Sequence, residues 1–179
     1  MSDITDKAEY EGAVNDVVTQ GRATLERPMP PLPPQAAQTL GVSSIEDLKL
    51  VSREVVVEEA QCGAGHNHKN IMLIETFNAA GAAEGAAITE LDAALEEFKA
   101  KALEIPEGSV QTAEFGAGVQ LGLDPETNSV KKMLVLQTAF ETAASLAAPQ
   151  PQAQVMTLED LLAMMGGQKP GGRGPGGLN

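Results

Sequence analysis

Two apolar runs rich in β-branched residues stand out in the middle of the chain: Val55, Val56 and Val57, then Ile71, Met72, Leu73 and Ile74. Between them lies a loop carrying Cys62, Gly63, Gly65, His66, His68 and Lys69. The pattern predicts a strand, a glycine-bearing turn and a return strand over 53–77. Apolar residues fall on both faces of each run, which predicts strands covered on both sides, or covered on one side by a partner chain.

Outside this stretch the period changes. Tyr10, Val14, Val17, Val18, Gly21 and Leu25 share one face of a predicted helix over 3–25, with Asp6 and Glu9 placed as a capping pair. Gly12 and Gly21 each weaken it by about 1 kcal/mol relative to alanine, so this helix needs docking, as core or as an arm. Ser44 and Asp47 form a capping box that predicts a helical turn to about Leu50. Ile88, Leu91, Leu95, Phe98 and Ala102 make the cleanest apolar stripe and predict the strongest helix, over 79–103. The glycine-interrupted run 110–123, with Gly116, Gly118 and Gly122, predicts an irregular strand. Asp124 as N-cap and Pro125 behind it then predict a helix to Ala147, with Met133, Leu136 and Phe140 on one face. A competing reading pairs a strand over 131–138 with 110–121 across the Pro-Glu-Thr-Asn turn. The alanine-rich end favours the helix. Thr157 and Asp160 open a last short helix, which Gly166 stops.

The fold class expected is α+β: a small antiparallel hairpin or sheet packed with two to three helices, plus extended arms. Residues 1–43 are the N-terminal arm, 44–147 the body and 148–179 the C-terminal arm. Five of the eleven prolines lie in 27–34, an extended segment that serves as a stiff linker or as a ligand for an aromatic-lined groove. The end of the chain, 166–179, holds seven of the eighteen glycines and no acids, a composition that favours disorder. Expected partner contacts are Leu158, Leu161, Leu162, Met164 and Met165 of the last helix, with Pro30, Leu32 and Pro33.

Composition narrows the function classes. A chain of 179 residues is one domain by length, and 42% hydrophobic residues suffice for a core. Aromatics are only 3%, with no tryptophan, so that core is thin and partner contacts are expected to add stability. A net charge of −13 repels phosphate backbones and anionic membranes. The partners expected are protein subunits, both copies of itself and a larger shell or connector protein. Direct nucleic-acid binding, a membrane and a small-molecule substrate are not expected. One cysteine allows no internal disulfide. The acidic N-terminus lacks the blocks of a signal peptide, so cytoplasmic synthesis is expected.

Candidate chemistry is sparse. Cys62, His66 and His68, with Glu58 and Glu59 near in sequence, offer thiolate and imidazole ligands of the type zinc takes. Their spacing matches no common zinc module, and a turn of this kind needs no metal, so no metal and no cofactor is expected. Cys62 and His66 as a nucleophile pair lack a third group and an oxyanion loop. No Lys-Ser/Thr follows the glycines of 116–122, which excludes a P-loop. No catalytic residue, and no enzyme, is expected.

A small Ala/Gly-rich body, few aromatics, a proline-bearing N-terminal arm and a glycine-rich C-terminal arm resemble the organisation of tailed-bacteriophage virion structural proteins. The likeness is of organisation and not of motif, so it carries no functional residue. It implies a non-enzymatic structural protein in many copies in a symmetric assembly, located in the virion: a capsid decoration (cement) protein first, a head–tail connector or internal virion protein second. The alternatives are a soluble adaptor or inhibitor binding one partner through the last helix, and a small metalloprotein built on the Cys62–His68 loop.

Overall fold

The computed structural model describes the backbone of residues 6–63, 65–105 and 109–142, and the side chains of these except 109–114 and 142. Residues 1–147 make one compact unit; a second unit, 148–179, lies outside the described residues, and with it the predicted Leu/Met helix and glycine-rich tail.

The element order is α1 (Lys7–Leu25), α2 (Pro34–Leu40), a 3₁₀ turn (Ile45–Asp47), β1 (Lys49–Gln61), β2 (Asn67–Asn78), α3 (Leu91–Leu103), β3 (Ser109–Asp124) and β4 (Ser129–Thr142). The strands form one antiparallel sheet in the order β1-β2-β4-β3. The fold is α+β. Both long helices take one face of the sheet, α1 over β3 and β4, α3 over β1 and β2.

Strand alternation explains the core. Ile71 and Leu73 of β2, and Leu134, Leu136 and Phe140 of β4, point at the helices and meet Tyr10, Val14, Leu95 and Phe98 there. At ~25 cal/mol per Å² of apolar area, this face is the main source of stability. The second face carries the row Val56, Met72, Val135 and Gly118, in register across all four strands. Val56 and Met72 are half-buried and Val135 is 7% exposed.

Several sequence expectations change. The strongest predicted helix begins only at Leu91, because Gly81 and Gly85 adopt φ of +77° and +80° and the Asn78 side chain accepts from the Gly81 N–H. Over 124–142 the predicted helix is instead a tight turn and β4, so the competing strand reading holds, while 143–147 lie outside the described residues. Asp124 caps a turn there, accepting from Glu126 and Thr127, and Asn128 sits at φ 48°. The capping box at Ser44 and Asp47 forms, but it opens a single 3₁₀ turn before β1. Pro34, assigned to the extended segment, is the first residue of α2. The helix within the expected N-terminal arm is core: Tyr10 and Val14 are fully buried and Leu25 nearly so.

The two halves of the unit repeat one plan. Apart from α2 and the 3₁₀ turn, which only the first has, each runs long helix, strand, strand, and each long helix packs on the other half's hairpin. Lys69, Ile71, Leu73 and Phe77 of β2 correspond in order to Lys132, Leu134, Leu136 and Phe140 of β4. Either lysine is buried, 2% and 7% exposed. Lys132 Nζ donates to the Leu25 and Arg27 carbonyls at the end of α1, each at 2.7 Å. Lys69 Nζ donates to the Glu104 carbonyl at the end of α3, also at 2.7 Å. An ammonium there completes orphan carbonyls and suits the negative helix end.

Candidate functional site

The two edges of the sheet differ in chemistry. β1 carries Lys49, Arg53, Glu54, Glu58 and Glu59, the charge pattern that guards an edge against pairing. Arg53 is held inward: its Nε and Nη2 meet Glu75 Oε1 at 2.9 and 2.8 Å, and its Nη1 donates to the Thr89 carbonyl. β3 has no charged residue from Phe115 to Leu123. Leu121 and Leu123 are 46% and 45% exposed, the large hydrophobic side chains left most open among the described residues. Among those residues β3 has no strand on its outer side.

A groove runs along this edge between β3 and the exit of α1, lined by Thr24, Arg27, Pro28, Pro30, Val119 and Leu121 among others. Of the expected partner contacts, Pro30 is thus placed beside the β3 edge. Leu32 is half-buried and Pro33 precedes α2 as its N-cap. Leu158, Leu161, Leu162, Met164 and Met165 lie outside the described residues.

At the other end of the sheet the β1–β2 turn brings Cys62, His66 and His68 together, with one ligand atom from each within 4.8 Å of the others. The turn is closed by the Cys62 N–H to the His66 carbonyl (3.0 Å) and the Gly65 N–H to the Cys62 carbonyl (2.9 Å). His66 Nε2 stands 3.6 Å from Glu141 Oε1, at the end of β4. All three candidate ligands are half-buried.

Burial shifts the inward polar groups. It lowers the affinity of Lys69 and Lys132 for the proton below the ordinary lysine value, against the opposing pull of Glu59 and Glu104 on the first and Glu75 on the second. Burial pushes the Tyr10 phenol above its ordinary value, partly offset by its hydrogen bond with Thr138. Tyr10 Oη also donates to the Ala102 carbonyl at 2.7 Å, tying α1 to α3. These inward lysines escaped the hydrophobic pattern. The signal was the shared order of Lys, Leu and Phe in β2 and β4, which no single-segment reading compares.

No helix of the described residues is long and apolar enough to cross a membrane. Comparison with protein-family models, with curated proteins and with solved structures finds no match.

Proposed function

We propose that this chain is a non-enzymatic structural protein whose copies join through β3, as a unit of a larger symmetric assembly. The carrying observation is the uncharged edge, Phe115 to Leu123, with Leu121 and Leu123 exposed on it. In a chain of net charge −13, copies repel wherever their surfaces are acidic. The neutral strip is the place where two copies can meet without that cost. The occupant is a second copy, added antiparallel to β3 so that two four-stranded sheets become one across a two-fold axis.

The virion role, capsid decoration ahead of head–tail connection, is the form of assembly this reading favours, on the organisation of the chain. Sedimentation equilibrium on the untagged protein tests the contact. The wild type is expected to dimerise, and Leu121→Glu with Leu123→Glu to be monomeric with unchanged circular dichroism. A wild-type monomer that binds one partner in a one-to-one complex would instead make it an adaptor. Removing 148–179 tests the arm: loss of incorporation into particles is expected, and full incorporation would reject an arm mechanism.

A further inference from the structure

The geometry points to a metal site in the β1–β2 turn: Cys62, His66 and His68 bind one borderline-soft divalent cation, of which zinc is the type, with Glu141 orienting His66. Four observations converge on this turn. One thiol and two imidazoles bring ligand atoms within 4.8 Å of one another in a single hairpin. A tetrahedral zinc with Zn–S near 2.3 Å and Zn–N near 2.0–2.1 Å needs ligand atoms roughly 3.3–3.7 Å apart, so the set must close by about an ångström. A Cβ added at Gly63 would meet nothing within 4 Å, so no packed neighbour at that position opposes the shift.

The second observation is the ligand chemistry. Thiolate with imidazole selects zinc-like ions over the hard cations that acidic surfaces collect. The third is Glu141. Its Oε1 stands 3.6 Å from His66 Nε2, just beyond hydrogen-bond reach, so closure of the set can bring it into the outer support usual for a metal-bound histidine, with Nδ1 left for the cation.

The fourth comes from the other half of the unit. The equivalent β3–β4 turn is closed by side-chain hydrogen bonds: Asp124 takes two backbone N–H groups, and its carboxyl is held below the ordinary value by its hydrogen bond from Thr127. The β1–β2 turn has two backbone hydrogen bonds and the Cys/His set in that place. A cation bound by that set would tie the side chains of a turn whose backbone is already closed. Three protein ligands leave one tetrahedral position, which water fills in an isolated chain and a donor from another molecule can take.

The test uses untagged full-length protein stripped of metal, with zinc as the sulfate. Titration against a chromophoric chelator is expected to give about one zinc per chain. Cys62→Ser and His68→Ala should each abolish stoichiometric binding, and Glu141→Gln should weaken it about 10–100-fold. Should a variant misfold, cobalt on the wild type decides. A thiolate-to-cobalt charge-transfer band with the intense visible bands of a tetrahedral centre supports the site. Pale octahedral spectra without a thiolate band overturn it. Binding below about a tenth of an equivalent overturns it, and so does zinc retained by a folded triple variant at Cys62, His66 and His68. None of these readouts depends on self-association, so the outcome is separate from the fate of the β3 contact.

Discussion

The two halves of the sheet share one plan and differ at matching places. Where the first half has Arg53 and Glu75 as a buried ion pair, the second has Phe115 and Thr138. Where α3 places Phe98 against the sheet, α1 places Gly21, each six residues before a carbonyl that meets the buried lysine, Glu104 and Arg27. Where β1 has Val56, β3 has Gly118. The lesson is that the backbone plan is carried by the repeated elements, the two lysine caps and the apolar pairs Ile71/Leu73 and Leu134/Leu136. The edges are free to diverge. One became charged and guarded, the other small, neutral and open.

The largest effect expected from breaking this difference is at Glu75. Glu75→Ala leaves the half-buried Arg53 on one side and the buried Lys132 on the other without the carboxylate between them, and should cost about 3–5 kcal/mol, read by urea denaturation. Thr138→Val, at the matching place, removes one neutral hydrogen bond and should cost about 0.5–1.5 kcal/mol. Equal losses would mean that the ion pair does not distinguish the halves.

Next is Gly21, where an added Cβ would meet Leu134 Cδ2 at 2.5 Å and Cδ1 at 2.7 Å. Both methyls are buried, so Gly21→Ala forces repacking at about 1–3 kcal/mol, offset by up to about 1 kcal/mol of helix propensity. A net loss in melting temperature is expected. A gain would show that Leu134 can move aside for the added methyl.

Tyr10 is the seam between the halves, and its behaviour is set by pH. Its folded value lies above the ordinary 10.0, so above pH 10 the unfolded chain loses that proton before the folded one does. The stabilisation is whole below pH 10 and declines as pH rises beyond it. Measured as the difference from Tyr10→Phe between pH 8 and 11, the wild type should lose its advantage on the alkaline side. A pH-independent difference would contradict a buried phenol.

The smallest effect is at Gly118, where a Cβ has open space. Gly118→Val gives β3 the residue that β1 has at the matching place, and should stabilise by about 0.5–1 kcal/mol. A loss would mean that something packs closely against that face.

Much of this was legible in the residues. The β-branched runs of β1 and β2 and the apolar stripe of α3 mark themselves by period. So does α1, whose buried Tyr10, Val14 and Leu25 lie on the predicted face. Misreadings came where local preference and tertiary pairing disagree. The alanines after β4 favour helix, yet the register with β2 and β3 on either side determines 129–142. Small residues over 79–90 looked helical, yet two glycines there take positive φ. Of the candidate site, Cys62, His66 and His68 were visible as a spacing, while Glu141 is distant in sequence and arrives only through β4. The β3 edge was hidden because which strand lies outermost is a property of strand order, not of any one segment.

The crossed packing also sets a timetable for synthesis. α3 rests on β1 and β2, which precede it, so that half can bury its apolar face as soon as α3 has emerged. α1 rests on β3 and β4, the last elements of the unit, and Lys132 must arrive before the end of α1 is capped. At a translation rate of about 5–20 residues per second, α1 waits roughly 6–25 s with Tyr10 and Val14 unburied. α1, made before every element it packs on, is the later of the two long helices to find its place, and the nascent chain must be kept from aggregating until it does.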